Sequence, residues 1–283
     1  MEPPCRSRTS RASSWRWCRS SRRARRCATR SPSPRRRLSL GPMRECDTAP
    51  LHASSGDQAP LSLDEVLASR PVAPATNLLE CARRADGGAA FIVADSNFID
   101  ATLGHDALSS PSGVASPQLG PFAARGGVVV LGGGEASGPL YPPPRISDEV
   151  FSCEHAAGSA YSEAQLLPSD IDWFGLYDCY VRALEAVGLA RKGEGGRWVE
   201  RAHAATQAEG YEPSVLPVNT HGGLLGFGAP WEVPAMYNVI EACDQLLGTA
   251  GQRQVGDVRR ALVYGNGGIF SHSSVAILAQ PVD

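Results

Sequence analysis

Four glycines (222, 223, 226 and 228) fall within seven residues, and a helix-forming run follows at once. Backbone without a Cβ can turn through positive φ and pass close to another group. This stretch therefore limits the chain to folds in which a sharp loop feeds a helix. Glu232 complements the positive end of that helix, and Pro234 suits its first turn, where a missing N–H costs nothing. Met236, Val239, Ile240, Cys243, Leu246 and Leu247 recur at helical spacing, and Gly248 stands where a C′ residue would end the helix. Such a loop aims backbone donors, and whatever side chains it carries, into a cleft.

The remaining pattern is strand and helix in alternation. Leu63, Val66 and Leu67 suggest a helical turn, Arg70 to Pro74 must be extended, and Leu78 to Arg84 suits a short helix. Asp86 to Ala94 reads as a turn into a buried strand. Residues 101–125, rich in Ser, Pro, Gly and Ala, read as a linker. Gly126 to Leu131 is a buried strand that ends at the Gly132–Gly134 run. No nucleotide-binding fingerprint follows it, because the G-x-G-x-x-G spacing is missing and Pro139 to Pro144 forbid the helix. A helix over 147–166 takes Ser147 or Asp148 as its cap. Asp170 to Tyr180 is a strand and turn leading into a helix that Gly188 ends. A loop at 189–196, a helix at 198–208, a strand at Arg259–Tyr264, a tight turn at Gly265–Gly268 and a closing strand at Ser273–Ala279 complete the series. That order predicts an α/β fold, a mixed five-stranded sheet with helices on its faces.

Charge divides the chain. Residues 1–40 hold 13 arginines and one acid, leaving 14 basic against 28 acidic residues beyond them. An acidic body argues against nucleic acid as its partner. Residues 1–60 lack hydrophobic periodicity and are expected to be a disordered Arg/Ser-rich segment. They fit an organelle transit peptide, a basic arm, or an upstream stretch that is not natural coding sequence. The eight cysteines show no C-x-x-C pair, which fits a reduced intracellular protein. A mitochondrial or peroxisome-like organelle stays open as the compartment. No apolar run approaches the roughly 18 residues of a membrane span.

The stretch around the glycines resembles the C-terminal signature of the thiolase superfamily, an asparagine and Gly-Gly followed by Gly-His-Pro. Asn219, Gly222, Gly223, Gly228 and Pro230 match in register, with Ala229 at the histidine position. The lipid-transfer, sterol-carrier-like branch is the most similar, and the resemblance spans residues 61–283. It implies that 126–283 is a thiolase-like C-terminal domain and that 61–100 is a remnant of the N-terminal domain, whose half supplies the family's cysteine nucleophile.

Thiolase chemistry calls for that nucleophile, a histidine to activate it, a second cysteine to move a proton and an oxyanion hole. Tyr264-Gly-Asn-Gly-Gly268 occupies the family's Cys-x-Gly-Gly-Gly place, and Tyr177-Asp-Cys-Tyr180 resembles another family element with tyrosine at its first position. The resemblance thus implies a cleft formed by Tyr177, Asp178, His221 and Tyr264 as candidate catalytic residues. Asn219, Gly222, Gly223, Asn266, Gly267 and Gly268 would bind substrate. Cys81 lacks the Gly-flanked setting of a nucleophile and suits buried packing, and Cys179 opens a helix. His155 has no metal-ligand spacing, His272 has no placed triad, and no metal site is expected. The implied substrate is a coenzyme A thioester or a lipid, with no bound cofactor. A homo-oligomer or a small partner subunit would accompany it. Three activities follow: acyl-CoA acyl transfer, retro-aldol cleavage of acyl-CoA side chains, or a catalytically silent lipid- or partner-binding domain.

Overall fold

The computed structural model describes residues 15–19, 63–74, 76–95, 127–138, 151–178, 182–209, 217–268 and 270–280. The linker expected at 101–125 and Cys179 lie outside these residues, as does the basic segment 1–60 apart from Trp15–Arg19. The strands are β1 (Trp15–Arg19), β2 (Pro71–Ala73), β3 (Thr76–Asn77), β4 (Phe91–Asp95), β5 (Val128–Ser137), β6 (Trp173–Gly175), β7 (Arg260–Gly267) and β8 (His272–Ala279). The helices are α1 (Leu63–Leu67), α2 (Ser152–Ala164), α3 (Arg182–Ala186), α4 (Gly195–Glu209) and α5 (Val233–Leu246). None of them is long and apolar enough to cross a membrane.

One mixed sheet runs in the order β4-β1-β5-β8-β7-β6, with β6 and β7 parallel and the other pairs antiparallel. It has six strands rather than the expected five, because Trp15–Arg19 pairs between β4 and β5. Side chains alternate across it with the period of two that a pleated strand imposes. Leu262, Tyr264, Val275 and Ile277 face α2, α3 and α4, while Ala261, Val263 and Leu278 face α5. Trp173 and Phe174 of β6 point to opposite faces in the same way. Helices thus cover both faces, as the sequence order requires.

Two glycines set how closely α2 lies on the sheet. A Cβ at Gly132 would sit 2.5 Å from the Ala160 carbonyl oxygen, and one at Gly134 would run into the Ala156 carbonyl. Small Ala156, Ala157 and Ala160 on the helix complete the approach, all fully buried. The run Gly132–Gly134 is therefore strand, not the end of one; β5 continues to Ser137. A register shift between Val130 and Gly132 places Leu131 on the α2 side, in the manner of a β-bulge.

Other elements differ from expectation for similar local reasons. Gly265–Gly267 is strand rather than turn, because each residue pairs with one of β8. Ser152 begins α2, where Phe151 has no acceptor of its own and Glu154 reaches back to the Phe151 N–H. Only Leu78–Glu80 forms a helical turn, a 3-10 one. β4 is exposed rather than buried, with Ile92 and Val93 both more than two-fifths exposed. On α5 the buried face carries Asn238, Glu241 and Gln245 beside Cys243 and Leu246, whereas Met236, Val239 and Ile240 are only half-buried.

Gly134→Ala is expected to destabilise the fold by about 3 kcal/mol, the cost of overpacking a helix–sheet contact. Gly133, whose Cβ would meet nothing closer than 3.9 Å, should tolerate alanine within about 1 kcal/mol. Paired urea titrations of the two variants measure the difference.

Candidate functional site

The site forms where the carboxyl end of β6 meets the glycine loop. Val218 pairs with Phe174, extending the sheet by one residue, and Asn219 then enters the left-handed region at φ 49°. Asparagine tolerates that conformation better than most residues. Its side-chain amide accepts from the Leu176 N–H (2.7 Å) and donates to the Leu176 carbonyl (3.0 Å). Both polar atoms of fully buried Asn219 are thus engaged with backbone. The amide acts as a one-residue strand, satisfying groups that the sheet no longer reaches.

Asp178 performs the companion task. Its carboxylate accepts from the Leu224 N–H at 3.0 Å and, more loosely, from the Leu225 N–H at 3.5 Å. These amides open a π-helical turn, Gly223–Phe227, bounded by Gly222 at φ 107° and Gly228 at φ 112°. Turns of this kind are uncommon and often mark functional sites. A Cβ at Gly223 would run into the Asp178 carboxylate and lie 3.1 Å from the Asn219 amide nitrogen. Asn219, Asp178, Gly222 and Gly223 are therefore together, as the sequence implies, and the two polar side chains hold the loop in shape. Leu225 docks the turn on Val66 of α1. Ala229 bonds to the Arg83 carbonyl (2.9 Å) and lines a recess of about 240 Å³ with Arg84, Ala85, Asp86 and exposed Trp231.

His221 is buried on the α5 side. Phe227 meets its ring edge-on at a centroid distance of 5.8 Å and stands in turn against Tyr237 at 5.2 Å. Its Nδ1 has no hydrogen-bond partner. Burial lowers the imidazole pKa to about 4; Arg253 adds to the fall and Glu241 opposes it. His221 is thus a neutral ring at physiological pH.

The buried polar network beside it did not emerge from the sequence. Thr220 Oγ1 accepts from Trp173 Nε1 (3.0 Å) and from Gln245 Nε2 (3.0 Å), and donates to Glu241 (2.8 Å). Arg253 pairs with the Glu241 carboxylate through Nε and Nη2 (2.9 Å). Burial pushes the Glu241 pKa up, but the Arg253 guanidinium and these hydrogen bonds more than offset it, so the carboxyl is held below its usual value. The legible signal was the spacing of Asn238, Glu241 and Gln245 at i, i+3 and i+7, a polar stripe on an apolar helix.

Tyr264 occupies the opposite face, in the α2-side core, which half-buried Tyr177 also borders. The Tyr264 hydroxyl donates to Asn266 Oδ1 (2.9 Å) and lies 3.2 Å from Ser273 Oγ. Ser273 meets Ser152 Oγ (2.8 Å), which donates to the Phe270 carbonyl. Asn266 Nδ2 is taken by the Gly268 carbonyl (2.7 Å), and Gly267 is exposed in β7. Tyr264 and Asn266 are thus joined to each other across the sheet end from His221. Cys81, half-buried, donates weakly to the Asn77 carbonyl. His272 lies on the exposed β5–β8 surface between Ser137 (3.3 Å) and Glu135 (3.0 Å), so the sequence missed its two neighbours. Among the described residues no three His, Cys, Asp or Glu side chains gather as a metal site would need.

The sign of the His221 shift sets a pH dependence. A pKa lower in the folded chain than in the unfolded one contributes stability fully present above pH 6.5 and lost as the pH falls to about 4. That loss amounts to about 3 kcal/mol between pH 7 and pH 4. Urea titrations at the two pH values should show a smaller difference for His221→Phe than for the parent chain.

Comparison with known proteins agrees with this geometry. The family described as Thiolase C-terminal domain-like matches residues 146–280. Sterol carrier protein 2 of Rattus norvegicus is 29% identical over 215 residues, covering 73% of this chain and 35% of the relative. Acetyl-CoA acetyltransferase of Methanothermobacter thermautotrophicus is 28% identical over 225 residues, covering 78% and 52%. The chain therefore spans about a third to a half of the length of these relatives. Among solved structures, the Ltp2-ChsH2(DUF35) aldolase superposes with a TM-score of 0.61 at 23% identity, covering 91% of this chain and 61% of that one. A monomeric SCP2-thiolase-like protein of Mycobacterium smegmatis gives 0.53 at 18%, covering 86% and 47%. Signature residues, family match and fold coincide on one stretch: residues 146–280 match the thiolase C-terminal domain-like family, and the chain shares the fold of the thiolase-like structures.

Proposed function

We propose that this domain acts on coenzyme A thioesters as a thiolase-fold carbon–carbon lyase, cleaving β-hydroxyacyl-CoA by a retro-aldol reaction. One observation carries the reading. At the positions of the family's proton carriers the chain has Ala229, which has no titratable group, and Tyr264, whose hydroxyl sits in a hydrogen-bonded chain with Asn266, Ser273 and Ser152. Acyl transfer, the reaction of the acetyltransferase relatives, calls for a thiol and an imidazole there. A retro-aldol reaction calls for neither.

Its proton accounting is simple. The β-hydroxyl loses its proton as the Cα–Cβ bond breaks. The β-carbon leaves as a carbonyl compound, and the electron pair forms the thioester enolate. The enolate then takes one proton at Cα to give the shortened acyl-CoA. In this reading the Tyr264 oxygen relays the proton, taking it from the β-hydroxyl and returning it at Cα, while Asn266 and Ser273 orient that oxygen. Asp178 and Asn219 act on the backbone of the loop and are positioning residues. The thioester is substrate rather than a resident cofactor. The aldolase neighbour's name joins two components, and a small partner subunit is likewise proposed for this chain.

A second reading, a silent lipid- or partner-binding domain, is favoured by the deep burial of Tyr264, which is 1% exposed. One experiment separates the two. A β-hydroxyacyl-CoA is incubated with the chain, alone and with candidate partner subunits, and acyl-CoA release is followed. Tyr264→Phe should lower the rate about 10²- to 10⁴-fold, the usual worth of a positioned proton donor. Turnover that survives this change removes Tyr264 from the mechanism, and no turnover under any condition leaves the silent domain.

A further inference from the structure

Nδ1 of His221 and both Nδ2 and Oδ1 of Asn238 are buried with no hydrogen-bond partner and have no place in the network described above. His221 is 7% exposed and Asn238 1%. Burying an amide unpaired is costly, and folded chains seldom retain such groups without a use. Both residues border the same stretch of α5. Phe227 stands between the rings of His221 and Tyr237, and the Glu241 carboxylate acts on the His221 ring. Asn238 lies one residue beyond Tyr237 and one turn ahead of Glu241, against Gly175 at the carboxyl end of β6. Trp173 links the pair, since its indole nitrogen bonds Thr220, next to His221, and its ring edge and Asn238 both crowd the Cβ position of Gly175.

We propose that His221 and Asn238 form a recognition site for a hydroxyl group on the acyl portion of the substrate, closed from the loop side by Phe227. The chemistry selects this ligand. Glu241 is already matched by Arg253, so a charged group here would be buried without a counterion. A neutral imidazole accepts through Nδ1, and the asparagine amide both donates and accepts, which suits a small group able to do both. Phe227 stands in the π-helical turn between Gly222 and Gly228, which places its ring on the loop side of His221. The assignment rests on the proposed thioester substrate and adds which acyl groups the chain prefers.

Calorimetric binding of 3-hydroxybutyryl-CoA and butyryl-CoA, to the full chain and to Asn238→Leu, tests it. The full chain should bind the hydroxylated ester about tenfold more tightly, the worth of one well-made hydrogen bond, and the leucine variant should bind both alike. The variant should also melt about 2–4 °C higher, because two unpaired polar atoms are gone. A melting point that falls means that Asn238 is satisfied in the resting fold, and overturns the assignment. Equal binding of both esters by the full chain overturns it too, while leaving the thioester reading intact. 1,3-Butanediol, which carries no thioester, separates the two ideas. If neither ester binds but the diol shifts the side-chain amide resonances lost in Asn238→Leu, the hydroxyl site stands and the thioester reading fails. If neither ester nor diol binds, both fail.

Discussion

The pair of hydrogen bonds between the Asn219 amide and the Leu176 backbone is the hinge on which the site depends. β6 is only three residues long and ends where the glycine loop must begin its turn. Without the amide, the N–H and carbonyl of Leu176 would be buried with no strand to pair them, a cost of about 1–3 kcal/mol for each unpaired group. With it, the loop is fixed at one end by Asn219 and at the other by the bond between Ala229 and Arg83. Asp178 then shapes what lies between. The loop's geometry is thus set by two side chains and a few glycines, and the burial of Leu224 and Leu225 seats it on the rest of the fold.

The faces of the sheet divide the chemistry. The α5 side carries a connected polar network, Trp173–Thr220–Glu241–Gln245–Arg253, in which one buried carboxylate is matched by one guanidinium and several neutral donors. The α2 side carries hydroxyls, with Tyr264, Ser273 and Ser152 in line. Satisfied buried networks of this kind specify a single arrangement more than they add stability. They explain how a loop rich in glycine can still present a defined surface.

Much of this was legible in the sequence where local rules govern. The helix after the loop, its proline near the start and its left-handed Gly248 follow from capping chemistry, and the alternation of strand and helix follows from hydrophobic spacing. The resemblance to thiolases found the loop, and the loop found the fold. What was not legible depended on partners far away along the chain. Gly132–Gly134 looks like a strand ending until α2 is laid against it. Gly265–Gly267 looks like a turn until β8 pairs with it. The apolar residues of α5 do not reveal that Glu241 is buried, because its burial depends on Arg253, twelve residues further on. The two atoms of Asn219 could be assigned to substrate in the sequence, and only the neighbouring strand end shows that they are spent on backbone.

The order of pairing also governs how such a chain is made. β5 finds its partner β8 some 140 residues later, and β6 finds β7 nearly ninety residues later. The β7–β8 hairpin is therefore the spine of the sheet, although it follows β5 and β6 in the chain. Until the hairpin forms, the β8-facing edge of β5 and the β7-facing edge of β6 lack their partners, and non-local pairing of this sort is slow to complete. Strand edges left open while a distant partner is awaited are where wrong pairing between chains begins, so the long separation of these pairs makes β5 and β6 the edges most exposed to aggregation during folding.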